Sequence, residues 1–270
     1  MIPPHGPLLA VDGLTRQFGG LVALDHITFA VADREIVAVI GPNGAGKTTL
    51  FNVITGFLPP TAGEVRYRGV RITGLSPSRI AALGIVRTFQ NLIIFGEMTV
   101  AESVMIGCHR WTRSGLLAAA LVLPSALRED RAAADAALEA LALVGLLHRA
   151  QDPARDLPVG QQRLLEVARA VAARPAMLLL DEPTAGLSPA ETRGLVEMIR
   201  RLQAGGMTFV VIEHNMDVVM EAADRVIVLD YGEKIAEGPP PQIQRDPRVI
   251  AAYLGEEPGE AVAELRGPRP

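Results

Sequence analysis

The run Gly41-Pro42-Asn43-Gly44-Ala45-Gly46-Lys47-Thr48-Thr49 satisfies the spacing G-x-x-x-x-G-K-[ST]. Its glycines let successive backbone N–H groups turn inward and form a concave nest for phosphate oxygens. A helix opening at Thr48 adds the partial positive charge of its N-terminus. Lys47 then reaches the β- and γ-phosphates, and Thr48 offers its hydroxyl to Mg2+. Gly41, Asn43, Gly44, Ala45, Gly46, Lys47, Thr48 and Thr49 are therefore the candidate residues for a nucleotide phosphate site. The plainer alternative is a glycine turn between a strand and a helix. By itself the motif does not separate kinases, GTPases and transport ATPases.

A second centre lies far along the chain, where Met177-Leu178-Leu179-Leu180 runs into Asp181-Glu182. In a doubly wound sheet the C-terminal ends of the strands gather at one edge, so Asp181 is expected close to the phosphate loop. There it would hold Mg2+, directly or through water, and Glu182 would accept a proton from an attacking water. The alternative for this pair is a helix N-cap before Pro183.

These residues need strands to carry them. Ile36-Val37-Ala38-Val39-Ile40 is a continuous apolar run ending at Gly41, the pattern of a parallel strand covered on both faces. Residues 24–31 and 64–68 instead alternate with period two, as half-buried strands do. From about Ala101 to Glu166 the composition is helical, and 132–147 is rich in Ala and Leu at helical spacing. After Pro175 short buried strands return, at 176–180 and 208–212, with a helix at 189–202 between them. The segment 230–233 reads as a hairpin turn. The pattern predicts a parallel sheet interrupted by a helical insertion.

The length of 270 residues suits one large α/β domain, or one domain with an inserted subdomain. With 49% apolar and 21% charged residues, a sizeable core is available and global disorder is excluded. Aromatic residues at 4% argue against a stacking platform for single strands, and a net charge of −4 against phosphate-backbone binding, so no nucleic acid partner is expected. A single cysteine, Cys108, excludes an intrachain disulfide framework and fits a reducing compartment. Mean hydropathy is high at +0.26. Even so, no stretch approaches the ~18 consecutive apolar residues of a spanning helix. The run Leu116–Leu123 is short and stops at Pro124. The N-terminus lacks the basic start and apolar run of a signal peptide. Arg163, Glu166 and Arg169 read as a solvated helix face.

Taken in order, the motifs resemble those of the ATP-binding-cassette (ABC) ATPases over roughly residues 8–255. Gln90, in Arg87-Thr88-Phe89-Gln90-Asn91, looks like the family's Q-loop. Leu157-Pro158-Val159-Gly160-Gln161-Gln162-Arg163 stands where the Leu-Ser-Gly-Gly-Gln signature belongs, and Thr184–Pro189 occupies the D-loop position. His214 matches the switch histidine, and Phe18 sits where an aromatic packs on adenine. The resemblance implies a P-loop NTPase fold of ABC type: α/β, with a mostly parallel sheet core, an antiparallel β subdomain and an inserted helical subdomain. It implies a single ATPase domain at 8–255, with the helical subdomain at about 91–165 and flexible ends at 1–7 and 256–270.

The same resemblance assigns roles. Two subunits pack head to tail, so that Val159, Gly160 and Gln161 of one close over ATP held by the other. Glu182 is the base, Gln90 senses Mg2+ and the attacking water, and His214 contacts the γ-phosphate. Lys47 completes the catalytic set. Thr48, Gln90 and Asp181 are the expected Mg2+ ligands.

Two departures stand out. Pro158 replaces the signature serine, and with it both a hydroxyl and an N–H are lost; Val159 replaces the first glycine. Ser188 replaces the common D-loop aspartate. Hydrolysis is expected to persist, leaning more on backbone dipole than on side chain.

Phe18-Gly19-Gly20-Leu21, Gly186-Leu187-x-Pro189, Ile212–Met216 and the ending Ala252–Glu256 resemble the ATPases of bacterial branched-chain amino-acid importers. That branch implies a second ABC ATPase subunit, integral membrane permease subunits and, indirectly, a periplasmic binding protein as partners. It also implies a peripheral place on the cytoplasmic face of the bacterial inner membrane. Lipid export, urea or amide import, and a regulatory cassette without turnover are the alternatives.

Overall fold

The computed structural model describes residues 6–88, 95–112 and 124–254. Gln90, the Leu116–Leu123 run and most of the two chain ends lie outside the described residues. The strands are β1 (Leu9–Phe18), β2 (Leu21–Val31), β3 (Ile36–Ile40), β4 (Ala62–Tyr67), β5 (Val70–Arg71), β6 (Ile85–Arg87), β7 (Met177–Asp181), β8 (Thr208–Ile212), β9 (Arg225–Asp230) and β10 (Glu233–Gly238). One sheet is antiparallel, in the order β2-β1-β4-β5; the other runs β10-β9-β3-β8-β7-β6 and is parallel except at β10.

Among the described residues the helices are α1 (Lys47–Ile54), α2 (Pro77–Leu83), α3 (Val100–Cys108), α4 (Pro124–Leu143), α5 (Val159–Ala172), α6 (Pro189–Ala204), α7 (Met216–Ala222), α8 (Pro240–Ile243) and α9 (Pro247–Leu254). The layering explains the apolar strands. Leu178, Leu180, Phe209 and Val211 face Val104, Leu141, Leu165 and Ile199 of α3, α4, α5 and α6. The alternate residues Leu179, Val210, Ile212 and Val39 face Leu50 and Phe51 of α1 and the antiparallel sheet. Because both faces are covered, β3, β7 and β8 are apolar at nearly every position and fully buried. The first strand of the antiparallel sheet, β1, and the short β6 have no counterpart in the sequence expectations, and both bear on the site.

Boundaries move slightly. The helix expected over 132–147 begins at Pro124 and ends at Leu143, before Gly145 at φ 75°. The 230–233 turn is a two-residue hairpin in which Tyr231 and Gly232 both have positive φ, 43° and 84°. The expected solvated face of α5 is a correction: Arg163, Glu166 and Arg169 are largely buried, with Glu166 3.3 Å from Arg169 and 3.9 Å from Arg163. α5 is enclosed by α3, α4 and the sheet, so a polar stripe on it faces other protein rather than water. Cys108 is buried beneath the same helices, and desolvation pushes its thiol up. No helix among the described residues is long and apolar enough to cross a membrane.

Candidate active site

Register places the chemistry. Ile212 of β8 pairs with Val39 of β3 on one side and with Asp181 of β7 on the other. The phosphate loop after β3, the Glu213-His214 turn after β8 and the Asp181-Glu182 turn after β7 therefore leave the same edge of the sheet at the same level. Strands lie about 4.8 Å apart, so the outer two exits are separated by about 10 Å.

The phosphate loop is wedged in place. A Cβ on Gly41 would lie 2.0 Å from the Leu229 carbonyl oxygen, and one on Gly46 (φ 100°) would lie 2.5 Å from that of Ala23. Only glycine fits either position, since β9 and β2 press directly on the loop. The amide of Gly232, from the hairpin turn, donates to the Ala45 carbonyl at 3.2 Å and braces the outer side. Lys47 is buried, and its ammonium donates to the carbonyls of Gly41 at 2.6 Å and Pro42 at 2.8 Å. Gly46 gives α1 no side-chain cap, which suits a helix N-terminus that meets an anion. Asn43, Gly44 and Thr48 are exposed, Ala45 is buried and Thr49 is half-buried on the next position of α1.

Asp181 is buried, and Arg87 at the end of β6 pairs with it at 2.7 Å. Arg87 also donates to the Asn52 side chain of α1 at 2.6 Å. One guanidinium thus joins the helix of the phosphate loop to the acidic strand. Glu182 follows in the left-handed region (φ 47°), with its amide donating to the Ile212 carbonyl at 3.0 Å. A non-glycine residue there costs about 1–3 kcal/mol, and Glu182 itself is half-buried. His214 is exposed at the neighbouring strand exit.

Within the second of these turns, Glu213 is fully buried and reaches back to the first. Its Oε1 accepts from the Thr184 amide at 3.1 Å and the Thr184 hydroxyl at 2.7 Å, and its Oε2 accepts from the His214 amide at 3.3 Å. Burial pushes this carboxyl up, against the pull of those hydrogen bonds.

Two further expected groups lie on β1 and α5. Phe18 ends β1 at a hairpin tip, 41% exposed, with the Arg16 guanidinium 4.4 Å from its ring centroid. Val159 opens α5 and is 62% exposed. Gly160 packs against the other turn, since a Cβ on it would lie 3.1 Å from the Gly186 carbonyl and 3.3 Å from Glu191 Oε2. Gln161 is half-buried beside it. The signature segment thus rests on the D-loop of its own chain.

A magnesium nucleotide fits these residues: a glycine loop held against β2 and β9 at Gly41 and Gly46, a helix N-terminus without a side-chain cap, a buried ammonium and an acidic strand end. Among the described residues no group of three or more His, Cys, Asp or Glu side chains could hold a metal alone.

The family described as "ABC transporter" matches residues 24–185. The chain belongs to the ABC transporter family. A second family, described as "Branched-chain amino acid ATP-binding cassette transporter", matches residues 233–258. The high-affinity branched-chain amino acid transport ATP-binding protein LivG of Salmonella typhimurium is 45% identical over 251 residues, 93% of this chain and 98% of LivG. Among solved structures, the ADP conformation of an ATP-binding cassette of an ABC transporter superposes with a TM-score of 0.79 at 34% identity, covering 92% of this chain and 99% of that one. The dimeric structure of a bacterial ABC transporter cassette gives 0.73 at 25% identity, covering 86% and 98%.

Within this ABC cassette, three features escaped the sequence reading. Arg87 is the lone cation ending an apolar strand, a pattern that hints at a buried acidic partner. Glu213, next to the switch histidine, had no local signal beyond its place at a strand exit. Ser188 proves to be the N-cap of α6, in a capping box with Glu191. The Ser-Pro-Ala-Glu spacing of 188–191 does announce that box in the sequence.

Proposed function

We propose that this chain is the ATP-hydrolysing subunit that energises an ABC importer for branched-chain or related amino acids. The observation that carries the hydrolytic reading is the shared register of β3, β8 and β7, which brings phosphate loop, switch turn and acidic turn to one edge. The amides of 43–48 and the Lys47 ammonium grip the β- and γ-phosphates, which requires Lys47 to leave the carbonyls of Gly41 and Pro42. Bound Mg2+, held by Thr48 and Asp181 with Gln90, supplies charge neutralisation on the phosphate oxygens. Glu182 takes a proton from the attacking water, and His214 contacts the γ-phosphate. Phe18 stacks on adenine, its ring already carrying a cation on one face.

The exposed helix start at Val159 supports a head-to-tail dimer with a second cassette, homo- or heteromeric, in which Val159, Gly160 and Gln161 meet the partner's nucleotide. The assembly proposed is one domain at 8–255 with a helical subdomain at about 91–165. It sits peripherally on the cytoplasmic face of a bacterial inner membrane, beneath permease subunits fed by a periplasmic binding protein. The amino-acid cargo rests on the likeness to LivG and on the match at 233–258.

The test is reconstitution of the chain with the membrane proteins that co-purify with it. Magnesium-dependent ATP hydrolysis together with leucine, isoleucine or valine uptake is the expected result. Hydrolysis coupled to urea, amide or lipid movement would replace the cargo, and absence of magnesium-dependent ATP binding would overturn the whole reading.

A further inference from the structure

Glu213 spans the two turns that carry the reacting groups. Glu182 and Thr184 belong to one turn, in which the Ala185 amide closes back on the Glu182 carbonyl at 3.2 Å. His214 belongs to the other, whose next residue, Asn215, caps α7 through the amides of Asp217 and Val218. The direct backbone bond between the turns runs from the Glu182 amide to the Ile212 carbonyl, at 3.0 Å. Glu213 adds a side-chain bridge: from the His214 turn its Oε1 accepts from the Thr184 amide and hydroxyl of the other turn, while its Oε2 accepts from the amide of its own neighbour, His214.

We propose that Glu213 is a positioning residue, a buried carboxylate tether that fixes the Glu182 turn and the His214 turn relative to each other for ATP hydrolysis. This deepens the proposed function and rests on it. A carboxylate suits the task better than any neutral group. It offers only acceptors, and all its mapped partners are donors. An unpaired carboxylate in that position would be costly, so the two turns are held to the spacing that satisfies both oxygens. The strained backbone at Glu182 gives the tether something to resist.

Glu213→Gln keeps an oxygen for Thr184 but turns an NH2 toward the His214 amide, placing donor against donor. Its turnover is expected to fall about ten- to a hundredfold, the scale of a small misplacement of reacting groups. Magnesium-ATP affinity should stay within about threefold, because no phosphate contact is touched. Thr184→Val removes one donor from the other side of the tether. The double variant should then lose little more than the worse single one, since both cut the same connection. Hydrogen exchange on the nucleotide-free chain reads the tether without turnover: the His214 amide should exchange about tenfold faster in Glu213→Gln.

Parental turnover in Glu213→Gln, fully additive losses in the double variant, or unchanged exchange at His214 would each overturn the proposal. A parent chain that hydrolyses no ATP counts against the proposed function instead, and the exchange result still decides whether the tether exists.

Discussion

In the proposed function the phosphate loop and the signature segment are both helix N-termini offered to phosphate, and the fold holds them in opposite ways. The loop is clamped by β2, β9 and the 231–232 turn, and its lysine is buried against its own carbonyls. The signature start projects, with Val159 more than half exposed and Pro158 supplying no side-chain cap. By contrast, α3, α6 and α7 are capped by Thr99, Ser188 and Asn215. A capping oxygen would occupy the amides that a phosphate needs; α1 and α5 carry none, as α2 and α8 also do not, so the missing cap permits an anion there without marking the site by itself. On the proposed function, one half of the site is prebuilt within the chain, while the other, with Val159 exposed, is the half a partner would complete.

The largest effect should come from the prebuilt half. Glu182→Gln removes the proton acceptor and leaves the cradle intact, so turnover should fall about 10²–10⁴-fold while nucleotide affinity is held. A steady-state assay beside a binding titration separates the two, and retained turnover would remove Glu182 from its role. Arg87→Leu attacks the same half through its support. It strands the buried Asp181 carboxylate, which is expected to cost about 3–5 kcal/mol of folding stability, read from urea unfolding. A loss below about 1 kcal/mol would mean that Asp181 finds other compensation, and the prebuilt character of this half would have another source.

Legibility in the sequence follows the same division. The phosphate loop, the acidic strand end and the buried β3, β7 and β8 were readable because their signals are local: glycine spacing, apolar runs, adjacent carboxylates. The partners that hold them were not. Arg87 meets Asp181 across 94 residues and Thr184 meets Glu213 across 29, and no period in the chain announces such pairings. The buried charges of α5 failed for a related reason. Spacing along a helix reports which residues share a face, not whether that face meets water. Arg163, Glu166 and Arg169 share theirs with protein.

A smaller effect tests the floor beneath the presented half. Ser188 and Glu191 form the capping box of α6, and Glu191 lies against Gly160. Ser188→Ala should cost about 1 kcal/mol near neutrality. The amide and hydroxyl of Ser188 hold the Glu191 carboxyl below its ordinary range. A depressed carboxyl contributes stability above its unfolded pKa and loses it as pH falls through the folded value. The gap between parent and Ser188→Ala should therefore close on acidification. A gap that stays constant to low pH would show that Glu191 takes no part in the cap.

The smallest effect expected is the most discriminating, because Pro158→Ser places one hydroxyl where two uses compete. Pro158 is the N-cap of α5, and its carbonyl already accepts the Gln162 amide at 2.9 Å. A serine hydroxyl there can cap the first-turn amides of its own helix, which raises stability, or turn outward to a phosphate presented by a partner, which raises turnover. Either use is worth about 0.5–1.5 kcal/mol, or roughly two- to tenfold. If the segment is completed from outside, the gain should move with the assembly. The nucleotide-free chain should melt higher, and the ATP-bound assembly should turn over faster without a matching further rise in stability. A variant that gains stability but no turnover would show that the hydroxyl stays on its own helix, leaving the backbone amides of Val159 and Gly160 as the whole of this segment's contribution.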